Sequence, residues 1–368
     1  MKQIPRRVFL SDQVAAVLRA GLEAGRWAGR LPSEAELCRE LQVSRVTLRR
    51  ALGQLIREGR LESGGRGRHH RICVKRAADA SSPGRTVRVL APYPLTALGS
   101  ESHAALVELT ERLAAEGYRM EFEHRPMVFK RHRPEELERL DALPDTAAWL
   151  LLYATEPMQR WFAARGRTTV AFGRVHEGVE LPCVYPDNRA SARHAAGMFF
   201  RRGYRDCVYM IAKFTSLGDR LGAGMFVEEM GRLGGKARVI EYEPRADAIK
   251  EVVEGLLSGK AGPNGFYASC PEDCLSVLCV LLGAGVRVPD GVALISGWDD
   301  HFLAHAVPSV ARYRAEGAEL GRKLAQLITD LLAHGPGKAR HQRVLPKFVP
   351  GGTLGEATAQ RPFSRRMP

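Results

Sequence analysis

The chain has 368 residues, of which 45% are hydrophobic and 26% charged, a globular balance with enough length for two or three folded units. Its formal charge of +14 points to an anionic partner. No run of about eighteen apolar residues offers a membrane span, and residues 2–10 lack the apolar core and cleavage site of a secretory leader, so a cytoplasmic protein with no membrane partner is expected.

The positive charge is concentrated at the start. Residues 1–76 hold 17 Lys and Arg against 7 Asp and Glu, a surplus that supplies the salt-dependent phosphate attraction of a nucleic-acid binder. Val14, Val17, Leu18 and Leu22 lie at helical spacing. The next helix begins at Ser33, whose hydroxyl can cap it while Glu36 reaches back to complete a capping box. Ser44 caps a further helix after a short turn, with Leu48, Leu52, Leu55 and Ile56 on its buried stripe and an end near Gly59. Arg45, Thr47, Arg49 and Arg50 lie off that stripe. Guanidinium forks and a hydroxyl in the first half of an exposed helix suit the major groove, where Arg pairs with guanine and Thr touches a thymine methyl. A glycine-tipped hairpin follows, and its Arg66, Gly67, Arg68 and His69 are placed against phosphates or a minor groove. The expected double-stranded DNA contacts are therefore Ser33, Ser44, Arg45, Thr47, Arg49, Arg50, Arg66, Gly67, Arg68 and His69.

Residues 75–86 are small, polar and turn-rich, the composition of a linker. From residue 87 strands and helices alternate. Strands are expected at 87–91, 118–124, 147–154, 168–173, 207–212, 237–243, 265–269 and 292–297. Helices are expected at 102–116, 156–165, 189–202, 221–233, 246–258 and 273–284. Strict alternation predicts parallel sheets with helices on both faces, and this many units predicts two such sheets. Ligands bind beyond the carboxyl ends of such strands, so a cleft between two lobes is the expected site. Residues 356–368 form a polar, basic tail, expected to be disordered.

Seven cysteines, at positions 38, 73, 183, 207, 270, 274 and 279, form no CxxC pair and are read as reduced, mostly buried thiols. Asp299, Asp300, His301 and His305 raise the question of a metal, but no secure helix brings the imidazoles onto one face. No nucleophile elbow or phosphate loop is present. Neither catalysis, a metal nor a cofactor is expected.

Residues 11–71 resemble the winged helix-turn-helix of the GntR family, on the motifs Leu31-Pro32-Ser33-Glu34, Val43-Ser44-Arg45-x-Thr47-x-Arg49-x-Ala51-Leu52, Glu58-Gly59 and the glycine-rich wing. Ala35 departs from the family, which often has Arg there. Residues 87–354 resemble the effector core of the LacI family, itself similar to periplasmic sugar-binding proteins. The motifs here are Tyr185-Pro186-Asp187-Asn188, Asp219-Arg220-x-x-x-Gly224, Gly285-Val286-Arg287-Val288-Pro289-Asp290-Gly291-Val292, Gly297-Trp298-Asp299-Asp300 and Pro308-Ser309-Val310. The resemblance implies an α/β protein in which an N-terminal winged helix-turn-helix (1–74) precedes a two-lobed periplasmic-binding-protein-like domain (87–355), as in the arabinose-repressor type of chimera. It implies lobe crossings near Asp187, Val310 and Arg343, and an effector site using Arg220 and Asp299, with Trp298, Tyr93 and Tyr153 as further contacts. Paired forks and carboxylates suit vicinal hydroxyls, so a mono- or oligosaccharide effector is implied. A homodimeric transcription regulator, a repressor released by its ligand, is the resulting expectation. An enzyme or a solute-binding domain with a DNA-binding appendage is the alternative.

Overall fold

In the computed structural model the described residues are 11, 14, 15, 17, 18, 27, 31–57, 61, 62, 70–72, 84–131, 134–213, 215–259, 262–335 and 339–355. The chain divides into two compact units, residues 1–82 and 83–368.

In the first unit, α1 (Glu34–Leu41) and α2 (Arg45–Arg57) are joined by a turn through Gln42 at φ 53°. Ser33 and Glu36 form the full capping box, which satisfies two orphan amide donors at the helix start. The outer strands of the hairpin, β1 (Leu61–Glu62) and β2 (Arg71–Ile72), pair antiparallel, and Leu31 N–H donates to the His70 carbonyl. Leu18, Leu31, Leu37, Leu48, Leu52 and Leu55 are at most 2% exposed and make one small core.

The second unit opens with β3 (Thr86–Ala91), α3 (Ser100–Ala115) and β4 (Arg119–His124). Two short helices follow, α4 (Pro126–Arg131) and α5 (Pro134–Asp141), in a stretch for which no element was expected. Next come β5 (Thr146–Leu152), α6 (Glu156–Ala164), β6 (Thr169–Phe172) and β7 (Cys183–Pro186). The chain continues with α7 (Asn188–Arg201), β8 (Asp206–Ala212), α8 (Leu217–Arg232), β9 (Lys236–Tyr242) and α9 (Ala246–Ser258). It ends with β10 (Gly265–Ala268), α10 (Pro271–Gly283), β11 (Ala293–Ser296), β12 (Ala311–Arg314), α11 (Gly317–His334), β13 (His341–Val344) and β14 (Lys347–Val349).

These strands build two six-stranded sheets, ordered β13-β7-β6-β5-β3-β4 and β14-β12-β11-β10-β8-β9. Every pairing is parallel except β12 with β14. Strand β5 shows why the pattern is a continuous apolar run. Leu150 and Leu152 join the core under α3 and α11, while Trp149 and Leu151 join the opposite core with Phe162 of α6. Both faces of a parallel strand are covered, so alternation disappears.

Three crossings connect the lobes. The first follows Asp187, and the second runs from Arg314 into α11, several residues past Val310 because β12 still belongs to the second sheet. The third joins β13 to β14 just after Arg343. Helix α11 returns to the first lobe and packs tightly on α3, where a Cβ on Gly317 would lie 2.7 Å from Ala104 Cβ.

Candidate functional site

The first candidate surface is the outward face of α2. Ser44 Oγ accepts Thr47 N–H at 3.2 Å and lies 2.9 Å from Thr47 Oγ1. The Thr47 hydroxyl is thus engaged at the cap, and its side chain is half-buried. Arg45, Arg49 and Arg50 are exposed. Arg49 Nε donates to Glu34 of α1 at 2.9 Å and remains 67% exposed. An exposed pair of this kind adds little stability, but it restrains a long side chain before it meets a base. Val46, passed over in the sequence, is 65% exposed. At about 100° per residue it lies opposite the Leu48-Ala51-Leu55 stripe, between Arg49 and Arg50, which was the available signal. Arg66, Gly67, Arg68 and His69 lie outside the described residues.

The second candidate is the cleft between the carboxyl ends of the two sheets. Tyr93 follows β3 and Tyr153 follows β5, and their rings meet edge to face at 5.5 Å. Tyr153 has φ 55°, a left-handed conformation unfavourable for an aromatic residue and characteristic of positions held for function. Desolvation by the surrounding protein, with the Asp219 carboxylate as the second cause, pushes its phenol up to about 12. A phenol this firmly protonated is a hydrogen-bond donor at neutral pH.

From the second lobe, Arg220 in the first turn of α8 donates to Glu241 at 2.7 Å and to the Lys213 carbonyl at 2.6 Å. Asp299 is 7% exposed, and its two oxygens accept separately from Arg312 Nε and Arg314 Nε. Arg220 and Asp299 are therefore each committed to other partners rather than to one another. Trp298 donates its indole N–H to Asp219 at 3.3 Å and packs on the first lobe's core.

Asp219, not singled out from the sequence, is the hub of this site. One oxygen accepts from Asn188 Nδ2 at 2.7 Å and from Trp298, and the other from Thr215 at 2.8 Å and Ser216 at 2.7 Å. Asn188 opens α7 just past the first crossing, so one carboxylate ties that crossing to α8 and to the Trp298 loop. Its neighbourhood beside Arg220 in the sequence was visible; the convergence of four donors from three segments was not.

The lobes also meet at α3. Ser100 N–H lies 3.4 Å from Asp300 Oδ2, and Ala315 N–H donates to Glu101 Oε1 at 2.9 Å. Glu101 Oε2 is buried without a partner. Burial, reinforced by the nearby Asp299 carboxylate, raises Glu101 from 4.5 to about 8. Between those values the unfolded chain carries an ionised Glu101 and the folded chain a protonated one, so the folded state binds more protons and loses stability as pH rises through the window. Glu101→Gln is expected to abolish that slope and to raise the thermal midpoint above pH 8 relative to the parent. Superimposable midpoint-versus-pH curves for the two proteins would contradict it.

Among the described residues, no group of three or more His, Cys, Asp or Glu is placed to hold a metal, and no helix is long and apolar enough to cross a membrane. Cys38, Cys183, Cys207, Cys270, Cys274 and Cys279 are unpaired thiols.

Comparison with known proteins places these two sites in context. Residues 10–69 match the bacterial regulatory proteins of the gntR family, and residues 196–354 match a periplasmic binding protein-like domain. No curated protein matches the chain. Among solved structures, a LacI family transcriptional regulator from Bifidobacterium animalis subsp. lactis is 18% identical with a TM-score of 0.65, covering 75% of this chain and 100% of its own. The transcriptional regulator CelR in complex with cellobiose is 18% identical with a TM-score of 0.65, covering 85% and 92%. The transcription regulator CcpA of Lactococcus lactis is 16% identical with a TM-score of 0.64, covering 74% and 100%. At these identities the likeness is one of fold.

Proposed function

We propose that this chain, in which a gntR-type helix-turn-helix is joined to a periplasmic-binding-protein-like domain, is a ligand-responsive transcription regulator of the cytoplasm and not an enzyme. The observation that carries the reading is the capped helix α2, whose outward face presents Arg45, Val46, Arg49 and Arg50 to solvent. Such a face fits the major groove, with Arg49 on a guanine and Val46 against a thymine methyl. A homodimer would set two such helices on successive groove faces of a pseudo-palindromic operator.

The effector belongs in the cleft, where Tyr93, Tyr153, Trp298 and Arg220 line the carboxyl ends of the strands and Asp299 orients the crossing strand through Arg312 and Arg314. A sugar is supported by the cellobiose bound to CelR and by the aromatic lining, which suits a sugar face. Because ligand and DNA act on one two-state protein, a ligand that prefers the DNA-incompetent state weakens operator binding, and operator weakens ligand binding by the same factor. Repression relieved by ligand is the sign we propose for that coupling.

Fluorescence anisotropy on DNA from upstream of the gene, against scrambled DNA at two salt concentrations, tests this. Selective, salt-sensitive binding is expected. Arg49→Ala is expected to cost about 1–3 kcal/mol on the operator and to relax preference at one base pair. Equal, weak binding to both DNAs with and without candidate sugars would defeat the regulator reading.

A further inference from the structure

We infer that the effector carries an anionic group, a carboxylate or phosphate on a small polyol, and that Arg174 with Arg343 receives it. This rests on the cleft being the effector site.

Arg174 lies two residues past the carboxyl end of β6, on the same edge of the sheet as Tyr93 and Tyr153. Its guanidinium stacks on the Tyr185 ring, 4.1 Å from the centroid, which leaves the N–H edges pointing sideways. Of these, Nε is buried and without an acceptor, and Nη2 reaches only to 3.5 Å from Asp187 Oδ1. Buried, Nε itself is closed to a ligand, so a carboxylate or phosphate is received on the outer nitrogens of the guanidinium, Nη1 and Nη2. Arg343, opposite Tyr185 in the β13–β7 register, brings Nη1 to 3.6 Å from Asp187 Oδ2 and stays 66% exposed.

Two guanidiniums thus share one carboxylate at the outer limit of ion-pair distance, and that carboxylate also caps α7 through Ala190 N–H at 3.3 Å. The other cleft cations differ. Arg220 and Lys213 each have their own carboxylate at 2.7 Å, and Arg312 and Arg314 have Asp299. Nearby acid does not cancel the surplus, because Glu156 is bound by Arg160 at 2.7 Å. The Cys183 thiol, held up to about 11 by burial, supplies no negative charge.

The backbone here is also built. Gln159, 2% exposed, donates to the carbonyls of Ala154 and Arg174 and accepts His176 N–H, which holds residues 174–176 in place before any ligand arrives. Preorganised forks of this kind lose little entropy on binding.

The test is thermal unfolding of the full chain in gluconate, glucose 6-phosphate, inorganic phosphate or glucose, each against sodium chloride at matched ionic strength. The anions are expected to raise the midpoint and glucose is not. Arg174→Gln should remove the response. The exposed variant Arg343→Gln, which leaves the packed core untouched, should weaken apparent affinity roughly tenfold. Glucose stabilising as well as gluconate, no anion exceeding chloride, or an unchanged response in both variants would overturn the inference. Operator anisotropy separates it from the regulator reading. An anion that binds through Arg174 without altering operator affinity upholds the inference and removes the coupling, whereas a neutral sugar that releases operator upholds the regulator and removes the anionic effector.

Discussion

Asp299→Ala is expected to destabilise the second unit by about 3–5 kcal/mol, the cost of removing one partner from a buried ion pair. Arg312 is 6% exposed and its Nε donates to Asp299, while Nη1 reaches only the Val310 carbonyl, at 2.9 Å. Without the carboxylate, a desolvated guanidinium keeps one carbonyl for its full charge. Asp299→Asn should cost less, because an amide oxygen still accepts one of the two bonds. The double variant Asp299→Ala with Arg312→Met should regain much of the loss, since removing both charges removes the uncompensated one. Urea midpoints of the four proteins decide it. A single-variant loss below about 1 kcal/mol would show that solvent or another acceptor replaces Asp299.

The second large effect is expected at Asp219. Asp219→Ala strands the Asn188 amide and the Trp298 indole and frees two hydroxyls, for a loss of about 2–4 kcal/mol given the cost of leaving buried donors unmade. The hydroxyls of Thr215 and Ser216 can rotate to new acceptors, whereas the amide and indole N–H groups are fixed by their planes, so the loss concentrates on those two. Trp298 also supplies a local reading. Its fluorescence should shift toward a wetter environment in the variant before global unfolding, because its indole is then held by packing alone. An unchanged Trp298 spectrum together with an unchanged midpoint would mean that the four donors are satisfied elsewhere.

Much of the fold was legible in residue order. The capping box at Ser33 and Glu36, the leucine stripe of α2 and the apolar run of β5 are local patterns whose causes lie within a few residues. The short helices α4 and α5 were missed because their stretch, with Pro126, Pro134 and several charges, lacks a long apolar period; Val128, Leu137 and Leu140 make them helices by packing on the first lobe. The second crossing, implied near Val310 by the resemblance, lies a few residues later because β12 gains its place by pairing with β11 and β14.

The candidate site was legible only by name. Arg220 and Asp299 were picked out as a ligand pair, yet each is held by partners 7 to 21 residues away in sequence. Asp219 stood in the sequence only as part of the Asp219-Arg220-x-x-x-Gly224 motif, with nothing to mark it as a hub, and Arg174 carried no local signature. Arg49 was assigned to a base, but its restraint by Glu34, fifteen residues earlier, required the two helices to be packed.

The residue order alone determined a basic two-helix reader, a parallel α/β domain and a cleft at the strand ends, because hydrophobic period, caps and charge surplus act over short stretches of chain. Tertiary structure alone decided which carboxylates are already neutralised and which guanidinium retains an N–H to offer, since the state of a charge depends on groups brought within a few ångströms from distant parts of the sequence and on how much water they exclude.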